Sequence, residues 1–330
     1  MKYFITGITG FAAPHLARIL LKEGHNVDAL IRGSNGREYE LLDYLTEKEI
    51  NNINFCYGNL TDYQSLLRIF RENQYDGVFH LAAQSHPPTS FKDPVGTMKA
   101  NCMGTINLID VIQKYQDDCI FQFTSTSEVY GGQCEDVGLL QEDVPLRPNN
   151  PYGASKAMID LYVQERCKNN LLKGYITRAF SHTGNRRGKN FSISWDAYHL
   201  ASMKVGIKKD RKLPVGNLKS RRVVIDVDDC MKAYYEIMKN FKNSCNGEAY
   251  NVCGDIKEVK EMKYFTDKLI EISGLEGIQK KTDDRVYRPI DIKIQVGDTT
   301  KIKNLTGWKP KIPIDTTLKK LFDYWIKKLS

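Results

Sequence analysis

The chain has 330 residues, 41% of them hydrophobic and 27% charged, with a formal net charge of +8. Those proportions give a globular protein with a sizeable core; they exclude a disordered chain, and no apolar run approaches the roughly 18 residues that a membrane span requires. Lysines gather around 257–281 and 301–328, spaced along solvated helical faces without a stacking-aromatic or recognition-helix pattern, so the expected partner is an anionic small molecule and not nucleic acid.

The opening residues MKYFITGITG run straight into a strand, without the basic stretch, apolar centre and small-residue cleavage site of a secretory leader, and a cytoplasmic location is expected. That strand, Lys2–Thr6, leads into Gly7, Ile8, Thr9, Gly10, Phe11, Ala12 and Ala13. Glycines at a strand-to-helix turn let the backbone approach a pyrophosphate, and the helix beyond offers unpaired N–H groups and a partial positive charge. The third small residue is alanine, which still permits close helix-to-strand packing. Helical spacing follows, with Leu16, Ile19 and Leu20 on one face, Pro14 suited to the first turn and Gly24 able to close the end.

Asn26–Ile31 predicts a second strand. A carboxylate at its end would hold the ribose hydroxyls of NAD, but the chain reads Leu30, Ile31, Arg32, Gly33, Ser34. Arg32 would meet the 2′-phosphate of NADP or stack over adenine, so both cofactors stay open. Strands over 54–57, 77–81, 119–123 and 174–178 alternate with helices that start near Phe11, Asp62, Val95 and Tyr152. Such alternation predicts an α/β fold with a doubly wound parallel sheet.

Beyond about Phe180 the rhythm turns irregular, with helices expected near 195–208 and 227–238 and a further segment over 258–273. A C-terminal helix sets Leu318, Leu321, Phe322, Trp325 and Leu329 at helical spacing, which is core packing. The expected organisation is a dinucleotide-binding domain over residues 1–180, to which some later segments return, and a smaller mixed α/β lobe over 181–330. No internal repeat is visible. The eight cysteines show no CxxC pair or zinc spacing and read as reduced thiols, mostly buried.

The fifth strand leads into Thr126, Ser127 and Glu128, and further on come Pro151, Tyr152, Gly153, Ala154, Ser155 and Lys156. A tyrosine four residues before a lysine shares a helical face with it, where the ammonium is expected to lower the phenol's pKa. The phenol then acts as general base or acid towards a sugar hydroxyl or ketone, with a hydroxyl from the strand-five turn on the same oxygen. A YxxxK spacing alone is common. It becomes specific together with the glycine turn, the Ala82-Ala83 turn after strand four and Thr126.

From TGITGFAA through HLAAQSH, STSEVYG and PYGASK to GDTTKIKNLTGWKPKIP, the chain resembles the extended short-chain dehydrogenases/reductases. Within them it is similar to the enzymes of GDP-mannose conversion, GDP-mannose 4,6-dehydratase and GDP-4-keto-6-deoxymannose reductase. The resemblance implies a Rossmann domain with a C-terminal substrate lobe, an NAD(P)(H) cofactor, a GDP-sugar substrate, and a homodimer, formed through the helix bearing Tyr152, or a tetramer. It makes Thr126, Tyr152 and Lys156 the catalytic trio, and Asn101, in KANCMGT, matches the asparagine that supports the active site. Cofactor contacts are expected from Gly7, Thr9, Gly10, Phe11, Ala12, Arg32, Asn59, Leu60, Leu81, Ala82, Ala83 and Gln84, with Asn101, Tyr152 and Lys156.

The stretch RAFSHTGNRRGKNF (178–191) resembles the family segment beside the sugar, and VGNLKSRR (215–222) and YRPIDIKIQVGD (287–298) resemble segments whose arginines grip the diphosphate. That implies phosphate contacts from Arg222 and Arg288, whose guanidinium forks present paired donors, and places Asp291 near the nucleotide ribose. Ser85, His86, Ser127, Arg187 and Asn190 complete the expected substrate contacts. His86 and His182 would either touch the sugar or serve as satisfied structural residues; the six histidines lack metal-ligand spacing, and no metal is expected.

Glu128 stands where the dehydratases carry the acid/base group that eliminates water across carbons 5 and 6. Two features depart from that pattern: Arg32 is followed by Gly33 where the dehydratases pair arginines ahead of a longer loop, and Ser181, His182 and Thr183 replace Asn-His-Glu. The HTG triplet, EDVPLRP and TGWKPKIP look more like the reductase. Oxidoreduction at carbon 4 of a GDP-hexose or GDP-heptose therefore ranks first, 4,6-dehydration second, and a catalytically silent nucleotide-sugar-binding protein a distant third.

Overall fold

A strand covered on both faces is apolar on both, and this is how the central sheet is written into the chain. In the computed structural model, which describes residues 1–33, 37–283 and 291–330, seven strands form it: β1 (Lys2–Thr6), β2 (Asn26–Ile31), β3 (Ile53–Tyr57), β4 (Gly77–His80), β5 (Ile120–Thr126), β6 (Lys173–Ala179) and β7 (Ala249–Val252). Their order is β7-β6-β5-β4-β1-β2-β3, and every pairing is parallel. The winding reverses between β1 and β4, which opens a crevice at the carboxyl ends of those strands, the place where such sheets bind ligands.

The longer helices are α1 (Ala13–Lys22), α2 (Tyr63–Glu72), α3 (Gly104–Tyr115), α4 (Pro151–Lys168), α5 (Ser192–Lys204), α6 (Val227–Lys239), α7 (Met262–Ser273) and α8 (Ile314–Leu329). Alternate residues of β1 serve opposite faces. Tyr3 and Ile5 pack with Leu16 and Leu20 of α1 and Tyr234 and Ile237 of α6; Phe4 packs with Ile69 and Phe70 of α2, Ile109 of α3 and Ile159 of α4. Each such fully buried side chain contributes on the order of 1.5–3 kcal/mol.

The six strands expected from the sequence are all present, with ends that shift by up to three residues. β7 was not expected. Its four residues come from the last third of the chain and extend the sheet beside β6. The helix expected near Val95 is broken: Asp93 caps a short helix, Pro94–Met98, through the Gly96 N–H at 2.8 Å, a π turn follows over Lys99–Met103, and α3 begins at Gly104. The helix expected near 195–208 is α5, which ends before Gly206 at φ +82°.

A second core joins α5, α7 and α8 through Ile193, Leu200, Phe265, Leu269, Leu318, Leu321, Phe322 and Trp325. Short strands flank it: Lys212–Val215 pairs with Gln279–Thr282, and Arg221–Arg222 lies between Lys260–Glu261 and Ile294–Gln295. The fold is thus a doubly wound sheet with a smaller mixed lobe beside its carboxyl edge. All eight cysteines are free thiols, and seven are buried. Among the described residues no helix is long and apolar enough to cross a membrane.

Candidate active site

The turn after β1 is shaped by Gly7, at φ +82°, where an added Cβ would stand 2.9 Å from the Ala82 backbone nitrogen. Only glycine lets the turns after β1 and β4 come that close. A buried chain of polar groups sets their spacing. Thr6 Oγ1 accepts from the Ala82 N–H at 3.1 Å and meets His80 Nδ1 at 2.7 Å. His80 Nε2 meets Thr105 Oγ1 at 2.8 Å, and Thr105 donates to the Asn101 carbonyl at 2.6 Å. Burial pushes His80 down to about 3, so the ring works as a neutral relay.

Two consecutive arginines from the smaller lobe reach this turn. Arg186, at φ +70°, pairs with Asp43 and approaches the carbonyls of Thr9 (3.3 Å) and Gly10 (3.4 Å), strapping the glycine turn from outside. Arg187 lies over the rings of Phe11 (4.7 Å) and Phe191 (3.5 Å) inside the crevice. Of these, the sequence points to Arg187 alone; Arg186 carries no local signal, and for His80 the signal is a histidine that ends an apolar strand.

The crevice has a volume of about 1040 Å3. Gly7, Thr9, Gly10, Phe11, Ala12, Arg32, Asn59, Leu60, Leu81, Ala82, Ala83 and Gln84 line it on the glycine-turn side. Ser85, His86, Thr126, Ser127, Glu128, Tyr152, Arg187, Asn190, Arg222 and Asp291 line the remainder. Lys156 and Asn101 sit behind this wall, at 3% and 2% exposure. Arg288 lies outside the described residues.

The tyrosine is delivered by a helix start with a strong local code. Asn150 accepts from the Gly153 N–H at 2.8 Å, and Pro151 occupies the first turn, where its missing N–H costs nothing. Asn150 Nδ2 also donates to Glu128 Oε2 at 2.8 Å, tying the carboxylate of the strand-five turn to the same helix end. The Tyr152 N–H donates to Ser90 Oγ at 3.1 Å, and its phenol lies within reach of the Thr126 side chain.

The expected lowering of the phenol's pKa is not what the site shows. Burial pushes Tyr152 up to about 12; Thr126 and the Arg187 charge oppose this, and the Glu128 charge adds to it. Lys156 does not bear on the phenol because its Nζ is directed elsewhere, donating to the Thr124 carbonyl at 2.7 Å and lying 4.8 Å over the Phe123 ring. Burial brings this ammonium down to about 8. Asn101, bulged inward by the π turn, accepts from the Gln84 N–H at 2.8 Å and donates to the Gln84 carbonyl at 3.0 Å and to Ser155 Oγ at 2.9 Å. It therefore pins the turn after β4 to α4; π turns are frequent at such sites.

On the far side, Arg222 donates to the carbonyls of Arg221 (2.8 Å) and Ile292 (2.7 Å) and lies 3.7 Å from Asp291. Both line the crevice. His86 caps the Pro87–Lys92 helix start and meets Thr89 Oγ1 at 2.8 Å, and His182 stacks on Phe11 while bonding the Phe180 carbonyl at 2.9 Å. Each has a structural partner and also faces the crevice.

A glycine-lined cradle, a hydroxyl pair and a preformed arginine–carboxylate pair share one crevice, and a family model of the GDP-mannose 4,6 dehydratases matches residues 4–321. The chain belongs to the GDP-mannose 4,6-dehydratase family. It is 28% identical to the GDP-6-deoxy-D-mannose reductase of Pseudomonas aeruginosa, over 98% of this chain and 97% of that one. To the GDP-mannose 4,6-dehydratase of Vibrio cholerae it is 27% identical, over 95% and 90% of the two chains. The solved structure of the RMD protein of Pseudomonas aeruginosa in complex with NADPH superposes with a TM-score of 0.82 at 25% identity, covering 99% of each chain. Members of this family are nucleotide-sugar enzymes of the short-chain dehydrogenase/reductase type, and this chain carries their fold throughout.

Proposed function

We propose that this chain is an NAD(P)-dependent oxidoreductase acting at carbon 4 of a GDP-sugar, hexose or heptose, as a 4-dehydrogenase or 4-keto reductase. The observation that carries the reading is that Thr126 and Tyr152 neighbour each other and line the same crevice as the Gly7 turn. The Gly7 cradle, which a Cβ would fill, and the N-terminus of α1 fit a dinucleotide pyrophosphate. Thr9, Gly10, Phe11 and Ala12 would complete that hold, Arg32, Asn59 and Leu60 would take the adenosine end, and Leu81, Ala82, Ala83 and Gln84 the middle. When bound, the nicotinamide supplies or accepts the hydride at carbon 4.

The side chains handle the proton. Tyr152, held as a neutral phenol, donates from Oη to the carbonyl oxygen at carbon 4 in reduction and takes the hydroxyl proton in oxidation, with Thr126 on the same oxygen. Lys156 holds the end of β5 through the Thr124 carbonyl and so supports the strand that presents Thr126. Arg222 and the Arg288 segment would take the diphosphate and Asp291 the ribose, leaving Ser85, His86, Ser127, Arg187 and Asn190 around the sugar.

A second reading, 4,6-dehydration, is favoured by Glu128, which lines the crevice and is oriented by Asn150. We include a cytoplasmic homodimer through α4, since Met158 and Leu161 on that helix are 45% and 55% exposed. The deciding experiment incubates the purified protein with GDP-, UDP- and dTDP-sugars and either cofactor, and weighs the products. Gain or loss of two hydrogens supports the first reading and loss of water the second. Unchanged mass with every sugar, in the presence of both oxidised and reduced cofactor, would sink both.

A further inference from the structure

A buried carboxylate needs donors around it, because its oxygens give up water on leaving solvent. Asp196, in the second turn of α5, is 6% exposed and lies on the wall of the crevice within the smaller lobe. Thr266 of α7 donates to its Oδ2 at 2.6 Å. Among the described residues that is its one hydrogen bond, for a group able to accept about four. Burial pushes the carboxyl up to about 7, opposed by the Thr266 hydroxyl and the Lys280 charge.

The surroundings say what would stand there. Asn217 Nδ2 donates to Asp291 Oδ2 at 2.6 Å, beside Arg222. The carbonyls of Leu218 and Ser220 accept from the N–H groups of Lys263 and Met262, each at 2.9 Å, so this turn is bonded to the start of α7. Thr266 follows one turn later on α7. The crevice therefore leads from the Arg222–Asp291 pair, past the apolar Leu218 and Met262, to Asp196. Apolar flanks with one buried acceptor at the end suit a flat heterocycle that offers N–H groups.

We propose that Asp196 reads the base of the nucleotide sugar, its carboxylate accepting the adjacent N1–H and N2–H of guanine. This rests on the nucleotide-sugar reading above and deepens it. Guanine presents two neighbouring donors along one edge, which a carboxylate takes with both oxygens. Uracil and thymine present one N–H between two carbonyls, whose lone pairs would oppose the carboxylate. Adenine and cytosine set an unprotonated ring nitrogen beside their amino group. In a desolvated slot each mismatch leaves a polar atom unpaired, which is how a site rejects close analogues.

The test titrates GDP, IDP, XDP and UDP into the wild-type protein and into Asp196→Asn, whose side chain keeps the shape and can still accept from Thr266. IDP has the same ribose and diphosphate as GDP and lacks only the N2 amino group. In wild type, GDP should bind at least about tenfold more tightly than IDP, the worth of one charge-assisted hydrogen bond. In Asp196→Asn that ratio should fall to roughly threefold or less, and XDP, which replaces the amino group by a carbonyl, should gain about tenfold. Equal losses for GDP and IDP, or an unchanged ratio with no XDP gain, would overturn the assignment while leaving the GDP-sugar reading intact. Wild-type binding of UDP in preference to GDP would instead overturn the GDP-sugar reading itself, and this assignment with it.

Discussion

Asn150 joins Glu128 to the start of α4: its Nδ2 donates to the carboxylate at 2.8 Å while its Oδ1 accepts from the Gly153 N–H at 2.8 Å. One side chain thus caps α4 and orients a cleft acid, and two substitutions separate the roles. Asn150→Ala should cost about 1 kcal/mol in urea unfolding through loss of the cap. Asn150→Asp keeps a capping oxygen, so most of that stability should return, but it sets two carboxylates against each other, and on the dehydration reading kcat should stay down by about tenfold or more, an effect of ~1.4 kcal/mol on the barrier. Wild-type turnover in Asn150→Asp would show that the Glu128 contact does nothing for the chemistry.

Tyr152→Phe removes the phenol that the proposed reaction uses as its proton carrier and leaves the Gly7 cradle untouched. Its kcat should fall by roughly 10²–10⁴-fold with cofactor affinity unchanged. The phenol's position near 12 also gives the two directions different pH profiles. Reduction uses the protonated form, which is full across neutral pH and should stay level there. Oxidation uses the deprotonated form, whose fraction below the pKa rises about tenfold per pH unit. Initial rates in both directions across neutral to mildly alkaline pH check this, and an oxidation rate that ignores pH would point to another base.

Lys156 makes a stability prediction with a definite sign. Its folded-state value is about 8, against 10.5 for the free side chain, because burial disfavours the ammonium. Below pH 8 the group is charged in both states and the burial penalty is fully present. Between 8 and 10.5 the unfolded chain binds more protons, so stability from this group rises with pH. Lys156→Met has no such group. The stability of wild type relative to Lys156→Met should therefore grow as pH rises through that window, and a constant difference in denaturant midpoints would show that the lysine is not desolvated.

Local patterns carried much of this architecture. β1 is apolar on both faces at Tyr3, Phe4 and Ile5, the Gly7–Gly10 turn needs a backbone that only glycine provides, and Asn150-Pro151 starts α4 by a short-range code, so each can be read from neighbouring residues. What escaped depends on distant partners. β7 is four residues that become a strand only because β6 offers an open edge. The pKa of Tyr152 follows from how deeply the chain buries it, which no YxxxK spacing encodes. Arg186 and Asp196 look like surface charges until the smaller lobe closes over them. Arg222 and Asp291 were found through family resemblance, and their proximity, 3.7 Å, spans sixty-nine positions of chain.

Arg178 lies in the stretch that resembles the sugar-side segment, yet its side chain points into the protein. Its Nε and Nη2 each stand 2.9 Å from an oxygen of Asp160, at 3% and 0% side-chain exposure. Asp160 belongs to α4, eight residues after Tyr152, and also accepts from Ser125 Oγ at 2.7 Å, the neighbour of Thr126. The ion pair thus holds the strand and helix that present the hydroxyl pair. Arg178→Met strands a buried carboxylate and should cost about 3–5 kcal/mol. Replacing both partners by apolar residues of similar size should recover much of that loss, because the desolvated charges leave together. If stability returns in the double variant while kcat stays low, the pair serves to aim Thr126 and Tyr152 as well as to hold the fold; recovery of both would confine it to stability. The aiming role is the expected result, since Ser125 loses its acceptor in the apolar variant and the end of β5 is then free to shift; urea midpoints and kcat measured on the same preparations decide it.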